Sequence, residues 1–147
     1  MTEKKIEFNK MKEIWSELAL TGFAKDEIEK ATIILEESKL RKELRDTTNA
    51  KEMIEKLGNP PLQNVTELSE ILEVAKRGDC LSPYQLERIE KILLIVERLK
   101  NYLSHGKQYE NPLAFYDENL NELIDLKEEI ARQIRNDAVD DLATKRL

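Results

Sequence analysis

SPYQLERIEKILLIVERLKNYL, residues 82–103, carries a complete helix start signal followed by an unbroken apolar period. Ser82 offers a side-chain oxygen to the first free backbone donors of a helix, Pro83 suits the first helical position, and Gln85 can reach back to complete a capping box. Leu86, Ile89, Leu93, Val96, Leu99 and Leu103 then recur at three- and four-residue steps with Ile92 beside them, which lays an apolar face along a helix. Leu94 and Ile95 widen that face nearly all the way round. Such a helix runs about six turns, roughly 33 Å, and needs cover on more than one side. The spacing predicts a central helix over about 83–104 with the other elements packed round it.

The chain has 147 residues, which suits one domain with one core. Charged residues make up 37% of it, against four Gly, four Pro and 5% aromatics, so it reads as helices with solvated faces. The predicted class is all-α: a single multi-helix bundle around the long central helix, with no sheet. Glu or Asp precedes Lys or Arg by four residues at Asp26 and Lys30, Glu37 and Arg41, Glu52 and Lys56, Glu87 and Lys91, and Glu128 and Arg132, pairs that support exposed helix. One cysteine, Cys80, excludes an internal disulfide, and no apolar run reaches signal-peptide or membrane-spanning length. The expectation is a cytoplasmic protein without a membrane partner. A formal net charge of −6 opposes broad attraction to DNA or anionic lipid, because Lys and Arg supply that affinity.

Upstream of the central helix, Gly78-Asp79-Cys80-Leu81 makes a tight turn, and Gly78 is placed to cap a fourth helix over about 65–77 with Leu68, Ile71, Leu72 and Ala75 inward. Gly58-Asn59-Pro60-Pro61 is the strongest punctuation in the chain and ends a third helix over about 37–57, which carries Leu40, Leu44, Ala50, Met53, Ile54 and Leu57. A second helix is expected over about 26–35, with the β-branched run Thr32-Ile33-Ile34 able to end it early. Thr21-Gly22 separates it from a first helix over about 2–20, with Phe8, Met11, Trp15 and Leu18 on one face. Downstream, Ser104-His105-Gly106 closes the central helix, and a polar stretch leads through Asn111-Pro112 to Ala114-Phe115-Tyr116. Asp117 is then placed to cap a helix over about 118–135 with the face Leu120, Leu123, Ile124, Lys127, Ile130 and Ile134. The expected division is a helical core over 1–135 and the start of a connecting segment over 136–147, in a coding chain that continues past Leu147.

No metal cluster, nucleophile triad or phosphate cradle is visible in the sequence. His105-Gly106-Lys107 lacks the upstream Gly and downstream Ser or Thr with which a P-loop wraps phosphate and holds magnesium. His105 reads as solvated at a helix end and Cys80 as a small half-buried hydrophobe rather than a nucleophile. No residue is assigned a catalytic, cofactor-binding or metal-binding role, and no cofactor is expected. Lys39, Arg41, Lys42 and Arg45 are the candidate nucleic-acid contacts; Glu36, Glu37 and Glu43 dilute them, and a solvated helix face is their plainer reading.

The order of signals carries a further meaning. Glu7-Phe8-Asn9-Lys10, Ala19-x-Thr21, Leu44-Arg45-Asp46-Thr47-x-x-Ala50, the Gly-Asn-Pro-Pro turn, and Ala75-Lys76-Arg77-Gly78-Asp79-Cys80-Leu81-Ser82 before Leu86 together resemble the helical core domain of the MutS family. The likeness runs over residues 6–103, with a weaker echo over 137–147, and is greatest to the bacterial branch that lacks the N-terminal mismatch-reading domain. Ala24-Lys25 stands where that family usually has Gly before the Lys, and no Pro precedes the third helix. The resemblance implies a non-catalytic N-terminal core of a DNA mismatch repair or recombination ATPase. Its partners would be the C-terminal ATPase and clamp domains of the parent chain, with DNA met, and any homodimer made, only through that parent. The alternative reading is a stand-alone helical protein–protein interaction module.

Overall fold

In a computed structural model of the protein, residues 2–62, 68–135 and 138–139 are described. The elements run α1 (Thr2–Leu18), α2 (Gly22–Lys30), α3 (Glu37–Leu57), α4 (Ser69–Lys76), α5 (Pro83–Gly106), the 3-10 helices η1 (Lys107–Tyr109) and η2 (Pro112–Asn119), α6 (Ile124–Gln133), and the two-residue strands β1 (Ile134–Arg135) and β2 (Ala138–Val139). The fold is all-α, as expected. The antiparallel pairing of Ile134 with Val139 and Arg135 with Ala138 is a local reversal after α6, too short to form a layer.

The local signals behind α3, α4 and α5 act as their chemistry requires. Ser82 Oγ accepts from the Gln85 amide (3.3 Å) while Gln85 Oε1 accepts from the Ser82 amide (2.8 Å), so the capping box is closed and Pro83 opens α5. At the end of α4, Gly78 adopts φ +79; its amide donates to the Ala75 carbonyl and that of Asp79 to the Val74 carbonyl, satisfying carbonyls the helix leaves free. Gly58 (φ +80) ends α3 in the same left-handed half of backbone space.

The central helix is the hub. Against α5 pack α3, η1, η2, α6 and the terminal ladder. The apolar core draws one buried residue from each of six elements: Met53 of α3, Ile71 of α4, Leu93 of α5, Ala114 of η2, Ile130 of α6 and Ile134 of β1. Most of the α5 side chains are half-buried rather than sealed, as suits a helix covered on several sides by short elements.

Several boundaries differ from the sequence expectation. Helix α2 starts at Gly22, four residues early, because the Thr21 hydroxyl accepts from the Ala24 amide and caps it there. It stops at Lys30, and residues 31–36 continue without helix, as the β-branched run allows. The final helix begins at Ile124, not near 118. Asp117 does not cap it: Asp117 lies buried inside η2, paired with Lys107 of η1 (2.8 Å), and Asn111 is the residue that caps η2. Leu123, at φ +43, separates η2 from α6. Cys80 is exposed, not half-buried, since the turn after Gly78 carries it away from the bundle. The expected start of the fourth helix near 65, and the connecting segment over 136–147 apart from residues 138–139, lie outside the described residues.

Candidate functional site

The features from which function can be argued are the joints that fasten the bundle to α5 and the surfaces it leaves open. Ionic joints hold α6 and η2. Lys127 of α6 bonds Glu97 of α5, and Lys100 of α5 bonds Glu122 ahead of α6 (3.0 Å). Lys107 reaches Asp117 at 2.8 Å and Glu118 at 3.8 Å, locking η1 to η2. The hydrogen bond to Glu97 holds the Lys127 ammonium above its ordinary pKa, and that to Asp117 does the same for Lys107.

Neutral joints fasten α3. The Tyr102 hydroxyl of α5 donates to the Gly58 carbonyl (2.8 Å) at the foot of α3, and partial burial raises the phenol's pKa. Buried Asn111 donates through Nδ2 to the Asn49 carbonyl of α3 (2.8 Å) while its Oδ1 accepts from the Leu113 amide (3.0 Å). Beside it, Gly106 lets α5 approach α3: a Cβ there would stand 2.5 Å from Met53 Cε and 3.1 Å from Ala114 Cβ. The sequence reading gives Gly106 only a place at the end of the central helix, Asn111 only a place in the polar stretch after it, and Tyr102 no role. Asn111-Pro112, a capping residue before a helix-opening proline, was the one available signal.

Lys39, Arg41, Lys42 and Arg45 all lie exposed on α3 but do not converge. Arg41 and Arg45 flank a shallow groove with Leu44, Thr48 and Asn49, and Arg41 is held by Glu37 (2.7 Å). Lys42 lies in another groove with Asp46 and the η2 residues Phe115 and Tyr116. Arg41 and Arg45 thus line one of these grooves and Lys42 the other, with Asp46 beside it, and Lys39 lines neither. His105 is exposed in the last turn of α5. Among the described residues no group of three or more His, Cys, Asp or Glu is placed to hold a metal ion, and no helix is long and apolar enough to cross a membrane.

The α1–α2 hairpin is built the other way round from α5. Lys12 of α1 donates to the carbonyls of Glu29 and Ala31 at the end of α2, and the groove between the helices, about 570 Å³, is lined by Asn9, Glu13, Ser16, Glu17, Lys25 and Ile28 as well. That is the polar side of α1. Its apolar side faces out: Met11 is 46% exposed, Ile14 58%, Trp15 43% and Leu18 74%.

Comparison with known proteins adds a relationship. The chain is 30% identical over 148 aligned residues to the endonuclease MutS2 of Clostridium botulinum strain Eklund 17B, an alignment that takes in 97% of this chain and 18% of the relative. It is 32% identical over 108 residues to the protein of that name from Clostridium botulinum strain ATCC 19397, covering 74% of this chain and 14% of the relative. Against that of Clostridium beijerinckii it is 33% identical over 97 residues, 66% of this chain and 12% of the relative. The chain thus spans less than a fifth of the length of these curated relatives. No family model matches it, and no solved structure does.

Proposed function

We propose, from its relationship to the MutS2 proteins, that this chain is the N-terminal, non-catalytic helical core of a MutS-like DNA mismatch repair or recombination protein. In this reading α5 is the stiff member through which an ATPase domain and a DNA-embracing clamp, both supplied by the rest of a longer chain, sense each other's position. The observation that carries it is the hub itself: α3, η1, η2 and α6 are fastened to one capped helix of 24 residues. A helix braced at several points moves as a body, and a body is what passes a displacement from one end to the other. The MutS2 relatives are named endonucleases; the proposal assigns no cleavage step to this chain.

The test is titration calorimetry of the 147-residue chain against the ATPase-bearing remainder of the MutS2-length protein, with a DNA titration of the chain alone. The expected result is association with the remainder and little or no DNA binding at physiological salt, given the net charge of −6. Failure to associate, or a steeply salt-dependent sub-micromolar affinity for DNA, would overturn it. The outward apolar stripe of α1 favours one second reading, a stand-alone helical interaction module. Absence of a P-loop in the reading frame that follows residue 147 would select that reading over the first.

A further inference from the structure

We infer that the surface running from α3 across η2 to the first turn of α6 receives a basic amphipathic helix of a separate protein partner, an inference that does not depend on the proposed function. Two grooves meet there at Asn119, which lines both. One, about 300 Å³, lies between Lys42 and Asp46 of α3 and the rings of Phe115 and Tyr116; the other, about 680 Å³, is lined by Leu123, Ile124 and Leu126. All five of these apolar side chains are about half exposed. Scattered singly they would need no explanation, whereas a row of them along joined grooves marks a binding surface.

Leu123 is the sharpest sign. It sits at φ +43 and ψ +51, the left-handed region that glycine adopts without strain and a leucine does not. Packing does not account for a leucine there, since 46% of it is exposed. A strained residue kept at the surface points to a role for its side chain outside the fold, and this one lines the larger groove beside Ile124. The charges then choose the occupant. Asp46 lies in the smaller groove and Glu118, Glu122 and Asp125 in the larger, against Lys42 and Lys100, and Lys100 is taken up by Glu122 (3.0 Å). Glu118 reaches Lys107 only at 3.8 Å, and Asp125 has no ion pair among the described residues. The surface thus joins an apolar row to unbalanced negative charge, in a chain of net charge −6. A helix with leucine-like residues at steps of three and four buries such a row, and Lys or Arg beside them meets the carboxylates. An extended peptide fits less well, because among the described residues no strand borders either groove to pair with it.

The test is a fluorescence-anisotropy titration of the 147-residue protein into a labelled helical peptide of leucine and lysine, about five turns long with leucine at steps of three and four. A second peptide carries glutamate in place of every lysine. The expected result is micromolar binding of the lysine peptide that weakens as salt rises, and no binding of the glutamate peptide. Leu123→Gly removes the side chain while suiting the backbone, so it should hold or raise the urea midpoint and yet weaken the lysine peptide about tenfold. Glu118→Gln combined with Asp125→Asn, both at exposed positions, should weaken it about fivefold at low salt and little at high salt. Equal binding of the two peptides overturns the inference. So does an affinity indifferent to Leu123→Gly and to the double variant, as binding elsewhere on the chain would give. Displacement of the peptide by the rest of a MutS2-length chain also overturns it, an outcome that would leave the proposed function standing.

Discussion

Asn111 shows how one side chain can hold three elements together. Its carboxamide oxygen takes the Leu113 amide at the start of η2, its nitrogen satisfies the Asn49 carbonyl in α3, and it is buried between them just after α5 and η1 end. Asn111→Ala removes a helix cap and the additional hydrogen bond to a carbonyl that the α3 ladder already serves, so a loss of about 2 kcal/mol is expected. Asn111→Ser keeps an acceptor for Leu113 but is too short to reach Asn49; about half the loss should return. Urea midpoints of the three proteins check the order, and equal stability of Ala and Ser would show that the α3 joint carries the whole effect. The residue before it stores strain of the opposite kind. Glu110 sits at φ +53, exposed, where an L-residue costs roughly 1–2 kcal/mol over glycine. Glu110→Gly relieves that cost and gives back part of it in the freer unfolded chain. A gain of about 0.5–1 kcal/mol is expected, measured in the same urea series.

At the level of elements, what could be read in advance is what neighbouring residues decide among themselves. The α3 boundaries follow from a helical run stopped by Gly58-Asn59-Pro60-Pro61, and the start of α5 follows from Ser82, Pro83 and Gln85, all within four residues. The segment after α5 could not be read this way. Asp117 has the local look of a helix cap, yet it pairs with Lys107, ten residues away in the sequence, and the periodic run behind it turns helical only at Ile124, after η2 ends at Asn119. The orientation of α1 was equally hidden: its stripe is plain in the sequence, but the side presented to α2 is set by Lys12 bonding the end of that helix. Those distant ionic joints also set a pH dependence. Lys107 and Lys127 have pKa values raised by their carboxylate partners in the folded chain. Their contribution is therefore fully present below the ordinary lysine value of about 10.4 and disappears as pH rises through the folded values. Tyr102, raised by burial, adds to the loss in the same direction. The urea midpoint should hold level between about pH 7 and 10 and fall above that. Lys127→Gln should lower the plateau and flatten the alkaline fall. A fall as steep in the variant as in the parent would remove the α5–α6 pair from the explanation.

For the molecule as a whole, packing divides the described chain into a hub that shares its core and a hairpin that does not. Among the residues whose burial is described, every buried apolar one lies between Met53 and Ile134, and those of α1 and α2 contribute none. The hairpin is held by its turn, the Thr21 cap and the Lys12 bonds to the end of α2, contacts that can open without disturbing Leu93 or Ile130. Local opening costs only the contacts that are lost, so a region with few buried apolar contacts exchanges its amides at low free energy while a shared core exchanges near the global value. Amide exchange should therefore be slowest in the middle of α5 around Leu93, slow in α6, and fastest in α1 and α2. Uniform protection across α1 and α5 in dilute solution would mean that the hairpin shares the cooperative core after all.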